Sequence, residues 1–294
     1  MKVGIYGQYY QDGLEVYLIE LLTELEKNKV KIFFEQNYLS DIKNNVSLKN
    51  QYETFSEFED LDDSFNLFFS VGGDGTMLRS ILYVRDLNIP IIGINVGRLG
   101  FLATVQKDQI KKAVEALVDG RYDVEERSLL QIETHPYNKN IGTVNFAMNE
   151  MAVSRKNTTS MITVSTWLDD EYLTSYWADG LIVSTPTGST GYSLSCGGPV
   201  ITPDTNAFVI TPIAPHNLNA RPLVIPDKTV IKLTVFGRSM DYLLSLDSRI
   251  ATLSNETEIY IKKAPFTIKM VEFREESFLK TLRKKLLWGE DKRN

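Results

Sequence analysis

The hydrophobic pattern of this chain changes period near residue 121, and that switch limits the folds open to it. Before it, short apolar runs alternate with helical stripes; after it, β-branched runs of period two follow one another. Lys2–Tyr6 reads as a buried strand, and residues 13–28 carry Leu14, Tyr17, Leu18, Leu21, Leu22 and Leu25 on one helical stripe. Residues 30–34 read as a second strand, which makes a βαβ opening and hence a parallel sheet covered by helices. Residues 35–64 are rich in Asn, Ser and acids, and 57–63 within them read as a mobile, solvated connection. Residues 65–71 and 91–95 are further apolar strands. Pro90 stops the helix between them, because proline and its predecessor resist helical geometry.

Beyond the switch, period-two runs occupy 129–134, 143–154, 161–167, 171–176, 181–184, 208–212, 230–236, 242–246, 258–261 and 267–272. Such a series predicts an all-β domain, a sandwich. The chain closes on a helix over 278–288 with Phe278, Leu282 and Leu286 in register, expected to return to the first domain. The fold class that results is α/β followed by all-β. An N-terminal Rossmann-like parallel α/β domain takes 1–122 plus 274–294, and a C-terminal β-sandwich takes 123–273.

Composition narrows the partners. A net charge of −6 argues against nucleic acid. The basic Arg283-Lys284-Lys285 and Lys292-Arg293 groups read as a solvated helix face and tail. One cysteine, Cys196, permits no intrachain disulfide and fits a reducing compartment. The N-terminus lacks the apolar core of a signal peptide, and no run approaches the ~18 apolar residues of a membrane span. The expectation is a soluble cytoplasmic protein with no membrane partner.

Three stretches carry chemistry. The first is Gly72-Gly73-Asp74-Gly75-Thr76, between a strand and a helix. Glycines let backbone approach a ligand closely, and unpaired N–H groups at a helix start attract anions, so the turn suits a phosphate with one carboxylate beside it. An ordinary strand-to-helix turn, with Asp74 or Thr76 as N-cap, is the plainer alternative. A second Gly-rich turn, 95–102, ends the next strand and should lie beside the first. The second stretch, 179–199, follows a short apolar strand with a loop dense in hydroxyls and glycines around Tyr192. Hydroxyls and N–H groups suit a polyol, amide or base, and a Tyr face can stack on a base. The third is Asn149-Glu150. Adjacent side chains on a strand point to opposite faces, and the pair taken alone reads as solvent-facing. There is no G-x-x-x-x-G-K-[ST] P-loop and no G-x-G-x-x-G fingerprint. With only His135 and His216, a Ser-His-Asp triad or a histidine metal cluster is disfavoured, and both histidines read as structural.

Together these stretches resemble the NAD kinase family. Residues 72–76 match its GGDGT motif and Asn149-Glu150 its NE motif, while 95–102 resemble its N-x-G-x-x-G-F-L turn and 179–199 its long D-G-x-x-x-[ST]-T-P-[ST]-G-S-T-[AG]-Y-S signature. Pro215-His216 with Ala220-Arg221-Pro222, and Asp247-Ser248-Arg249, look like its later segments. The resemblance implies phosphorylation of the adenosine-ribose 2′-hydroxyl of NAD, with ATP as donor (polyphosphate in some members) and a divalent metal, usually Mg²⁺. It implies Asp74 as proton acceptor or positioning carboxylate, and Gly72, Gly73, Gly75 and Thr76 as the phosphate turn, with Arg79 near the phosphates. Asn149 and Glu150 are implied to hold the NAD ribose and base region, and Asp179 the nicotinamide side. Trp177, Thr187, Thr190, Gly191, Tyr192, Ser193, Ser195 and Arg249 are implied to complete the NAD site, with Asp74 at the domain junction. A homodimer or homotetramer is implied only by the family's habit.

Trp177 stands where an Arg is common, Gly191 replaces a frequent Ala, and Ser248 stands where some members carry His; these departures bear on fine specificity. Two rivals remain on sequence grounds. A diacylglycerol- or sphingosine-type lipid kinase shares the domain order and a GGDGT-like turn but should lack the hydroxyl-rich loop. A non-catalytic NAD or NADP sensor would need no carboxylate at position 74.

Overall fold

The computed structural model describes residues 1–11, 13–97, 99–139, 141–142, 144–156, 160–273 and 277–288. The chain divides into two compact units, Met1–Glu126 with Ile268–Asn294, and Arg127–Thr267.

In the first unit, β1 (Lys2–Tyr6), β2 (Lys31–Glu35), β3 (Glu53–Phe55), β4 (Leu67–Gly72), β5 (Ile91–Asn95), β6 (Val105–Gln106) and β7 (Asp123–Arg127) alternate with α1 (Glu15–Lys27), α2 (Gln36–Asn45), α3 (Asp74–Val84) and α4 (Ile110–Val118). β3, β2, β1, β4 and β5 lie side by side in that order, all parallel. Sequence order reverses between β1 and β4, which is where ligands bind in open α/β sheets. The register sets Gly72 opposite Asn95, so the two Gly-rich turns leave the sheet at one edge, as the sequence predicts. Leu18, Leu21, Leu22 and Leu25 of α1 are buried in one cluster with Val3, Ile5, Phe34 and Phe69.

Residues 35–64 are more ordered than their polar composition suggests. The Glu35 carboxylate accepts a hydrogen bond from the Tyr38 N–H at 2.8 Å and caps α2. Tyr38, Leu39 and Ile42, spaced for one helix face, then bury against the sheet strands. The stretch read as a solvated connection contains a short 3₁₀ turn, Phe58–Asp60, followed by the buried Leu61.

The second unit holds two six-stranded antiparallel sheets. Its strands are β8 (Leu130–His135), β9 (Phe146–Ala147), β10 (Glu150–Arg155), β11 (Ile162–Leu168), β12 (Glu171–Ala178), β13 (Gly180–Ser184), β14 (Ala207–Ile213), β15 (Leu223–Pro226), β16 (Ile231–Gly237), β17 (Asp241–Leu246), β18 (Arg249–Ser254) and β19 (Glu258–Lys263). One sheet runs β15-β14-β13-β10-β17-β18 and the other β12-β11-β16-β19-β8-β9. Alternate residues of both, among them Ile132, Val153, Val164, Val183, Leu233, Leu244 and Ile261, form one core. The short helix α5 (Tyr192–Ser195) follows a 3₁₀ turn at Thr187–Thr190.

Two boundaries differ from the sequence reading. Asp123–Arg127 and β20 (Ile268–Glu272) belong to the first sheet, where Met270 pairs in parallel with Ile91. A run of β-branched residues has the same pattern whichever sheet it joins, so period alone placed 267–272 in the wrong one. The run over 143–154 breaks into β9 and β10 around Met148 and Asn149, and its first residue lies outside those described. α6 (Phe278–Leu286) ends earlier than expected, at Leu287 with φ of 56°, and groups with the first unit. There Phe278 meets Phe101, ring centroids 6.2 Å apart. Residues 274–276 and 289–294, with the tail charges Lys292 and Arg293, lie outside those described. Among the described residues no helix is long and apolar enough to cross a membrane.

Leu25 is fully buried, so Leu25→Ala should cost about 2–5 kcal/mol in transfer and cavity terms, read as a lowered urea midpoint.

Candidate functional site

In the first unit the site begins where β4 ends. A side chain at Gly72 would meet Thr76 Oγ1 at 2.2 Å, so the turn closes this tightly only with glycine there. Gly73 precedes α3, and its carbonyl accepts from the Thr76 and Met77 N–H groups. Asp74, in the first turn of α3, does not cap that helix. Its carboxylate reaches the second Gly turn and accepts the N–H groups of Phe101 (2.8 Å), Leu102 (3.0 Å) and Ala103 (3.1 Å). A Cβ on Gly100 would sit 1.8 Å from Asp74 Oδ1, which explains the glycine before Phe101. Asn95 holds the other side of that turn, donating to the Ala103 carbonyl and accepting from Gly97 N–H. Gly75 and Arg79 are exposed beside them. Arg98, within the same turn, lies outside the described residues.

In the second unit Glu150 begins β10 with Asn149 just before it, and the solvent-facing reading of this pair is corrected. Glu150 is only 9% exposed. Asn149 Oδ1 and Glu150 Oε2 are buried without a hydrogen-bond partner. Buried polar atoms are nearly always paired, so two neighbouring orphans point to a ligand that donates to both. The backbone around them is fixed. Thr185 donates its N–H to the Asn149 carbonyl (2.9 Å) and its Oγ1–H to the Met148 carbonyl (2.5 Å). Asp247 accepts the N–H groups of Met148, Asn149 and Glu150 at 3.1, 2.8 and 3.2 Å. Burial, and then the negative charge of Asp247, push the Glu150 pKa up to about 7, against the pull of the Tyr192 N–H.

The hydroxyl-rich loop divides into support and lining. Ser184, Ser189, Thr190 and Ser193 turn their hydroxyls inward, to Asn149 and Thr185 carbonyls, Ile201, the Thr187 carbonyl and Thr211 respectively. Ser193 is fully buried and braces the loop. Gly188 packs so tightly that a Cβ there would lie 2.0 Å from the Asn149 carbonyl oxygen, and one on Gly191 would lie 3.1 Å from Glu150 Oε2. Thr187 is buried, Ser195 is exposed, and Tyr192 stands 44% exposed at the start of α5. Burial, Cys196, Glu150 and Asp179 all raise the Tyr192 pKa, which places its phenol near both carboxylates.

Asp179 is the residue at which the chain leaves β12 in one sheet and enters β13 in the other. Arg155 Nη2 lies 2.9 Å from its Oδ2, a pairing with no signature in the sequence. Trp177, two residues earlier, packs its ring against His216 at a tilt of 52° with centroids 4.5 Å apart and accepts the His216 backbone N–H at its carbonyl. Arg249 is committed to the backbone, donating to the Val144 and Phe146 carbonyls. Among the described residues no three His, Cys, Asp or Glu side chains cluster as metal ligands. The structure thus gathers Asn149, Glu150, Gly191 and Tyr192 in one unit, and Asp74 with its glycines in the other. The Asp247 hydrogen bonds are what sequence reading missed; an Asp-Ser pair between two alternating strands marks the hairpin turn, not its target.

Gly188→Ala should lose about 1–3 kcal/mol or more, because backbone must move, while Gly75→Ala, with open space around it, should melt like the wild type or slightly higher. Glu150 holds a proton in the folded state up to about pH 7 that the unfolded chain releases near 4.5, so its contribution to stability falls as pH rises through that window. Thermal melts of the wild type relative to Glu150→Gln should therefore decline between those values and level off above; a constant difference would contradict the shift.

The family model for the ATP-NAD kinase N-terminal domain matches residues 4–122, and that for the ATP-NAD kinase C-terminal domain matches 148–273. The NAD kinase of Christiangramia forsetii is 62% identical over 294 residues, with both chains covered completely. That of Flavobacterium johnsoniae is 55% identical over the same span, again with 100% of each chain covered. Among solved structures, an NAD kinase from Archaeoglobus fulgidus in complex with ATP superposes with a TM-score of 0.75 at 27% identity, covering 98% of this chain and 99% of that one. Yeast NADH kinase complexed with NADH superposes with a TM-score of 0.88 at 24% identity, over 99% of this chain and 88% of that one, a likeness of fold. Two matching domain models and full-length relatives well above half identity establish that this chain belongs to the NAD kinase family.

Proposed function

We propose that the protein transfers the γ-phosphoryl group of ATP to the 2′-hydroxyl of the adenosine ribose of NAD, forming NADP and ADP. The observation that carries this reading is the pair of orphaned acceptors, Asn149 Oδ1 and Glu150 Oε2, beside the exposed ring of Tyr192. A ribose presents hydroxyl donors and an adenine an amino donor, which are what two buried acceptors lack. A base can stack on the tyrosine face. Asp179, held by Arg155, is assigned to the nicotinamide side.

In this reading the second unit serves the dinucleotide and the first the phosphates. Phosphoryl transfer asks for positioning and electrostatic stabilisation more than covalent chemistry. The glycines of 72–75 keep side chains away from the polyphosphate, and the N–H groups at the start of α3 face its charge. Arg79, exposed one turn further along, adds a cation. Asp74 accepts the proton as the 2′-oxygen forms its bond to phosphorus and the bond to ADP breaks. The Phe101–Ala103 N–H groups fix the carboxylate's direction beforehand. A divalent cation such as Mg²⁺, bound together with ATP, would supply charge neutralisation at the phosphates.

Asp74→Asn, whose amide nitrogen would face one of the three N–H donors, should keep the fold at somewhat lower stability yet lose about 10²–10⁴-fold in NADP formation in an assay with ATP, Mg²⁺ and NAD. Turnover like that of the wild type in this variant would contradict the role of Asp74. ATP consumption by the wild-type protein on diacylglycerol, with none on NAD, would contradict the substrate.

A further inference from the structure

The turn between β17 and β18 reaches beyond its own hairpin. Leu246 pairs with Arg249, so Asp247 and Ser248 alone make the bend, and Asp247 takes a φ of 52°. From there its carboxylate accepts three consecutive N–H groups, those of Met148, Asn149 and Glu150. Its own N–H donates to the Glu150 carbonyl at 2.9 Å. Two residues on, the Arg249 guanidinium donates to the Val144 and Phe146 carbonyls and lies 5.7 Å from the Phe146 ring. The approach to Asn149 is therefore gripped by a cation on its carbonyls and by an anion on its N–H groups.

Asn149 needs this grip. It lies between β9 and β10, where the strand ladder pauses. Thr185 takes the Met148 and Asn149 carbonyls, and Asp247 takes the N–H groups. With the backbone satisfied on both sides, Asn149 Oδ1 and Glu150 Oε2 are what remains unpaired. A carboxylate is suited to the task because each oxygen accepts more than one hydrogen bond, and charge-assisted bonds are about twice as strong as neutral ones.

We propose that Asp247 is the positioning residue of the dinucleotide pocket: its carboxylate fixes the Met148–Glu150 backbone and thereby aims the Asn149 and Glu150 side chains at NAD. This rests on reading that pocket as the NAD site. The Asp247 carboxylate bonds to Met148–Glu150, on the dinucleotide side in this reading, so its loss should weaken NAD binding and spare the ATP side.

The test is steady-state kinetics of Asp247→Ala and Asp247→Asn with NAD and ATP varied separately. Asp247→Ala should raise the KM for NAD by about tenfold or more, the effect of losing charged hydrogen bonds. Asp247→Asn, which keeps one acceptor oxygen, should raise it less. In both, kcat should stay within about threefold and the KM for ATP should not move. An unchanged KM for NAD, or equal rises in both KM values, overturns the inference. So does failure of both variants to fold, which would make Asp247 a residue of the fold alone. A wild-type protein that makes no NADP would overturn the reading of the pocket itself and the inference with it.

Discussion

A carboxylate accepting three successive backbone N–H groups is the interaction on which both halves of this molecule turn. Asp247 does it to 148–150, and Asp74 does it to 101–103. Three N–H groups in a row cannot all be served by a neighbouring strand, whose ladder takes alternate groups. They converge instead on one acceptor, and a partly buried carboxylate is tolerated because they replace its water. For Asp247 the balance is visible: burial raises its pKa, while the Asn149, Met148 and Glu150 N–H groups and the Arg249 charge lower it. The same negative charge then bears on Glu150 and helps to hold it protonated near neutrality. One side chain thus holds the backbone of its neighbours and adds to the upward shift that burial imposes on one of them.

The hydroxyl-rich loop follows from that fixed strand start. Its hydroxyls mostly face the protein, and Ser189 and Ser193 tie the loop to Ile201 and Thr211. What the loop offers outward is the ring of Tyr192. Gly188 lets the loop press on the Asn149 carbonyl, and Gly191 leaves the space beside Glu150 open. Gly191 is also where this chain departs from the frequent Ala, whose methyl group would lie 3.1 Å from Glu150 Oε2. Trp177 departs from a frequent Arg, and its ring packs on His216 in place of a cation.

Much of this was legible in the residues. Stripes such as Leu18–Leu25 and the apolar runs before the Gly turns specified the parallel sheet, because helix and strand periods differ. The hydroxyl-rich signature and the GGDGT turn pointed to the NAD kinase family, to which the two domain models assign the chain. Three things were not legible, each for a physical reason. Strand 268–272 is apolar enough for either sheet, and only tertiary pairing assigns it. α2 hides in a polar segment because three buried residues and one capping Glu35 suffice to hold ten residues. The burial of Glu150 and its grip by Asp247 join positions 97 residues apart, and no local pattern encodes so distant a hydrogen bond.

The central claim is that Asn149 and Glu150, aimed by Asp247, present the adenosine ribose of NAD for phosphorylation. It is tested most directly by finding where the new phosphate sits. Wild-type protein incubated with ATP, Mg²⁺ and NAD, followed by phosphorus NMR of the purified product, should show one added monoester coupled to the ribose C2′ proton of the adenosine half. A phosphate on the nicotinamide ribose, on the 3′-oxygen, or on no dinucleotide at all would contradict the account.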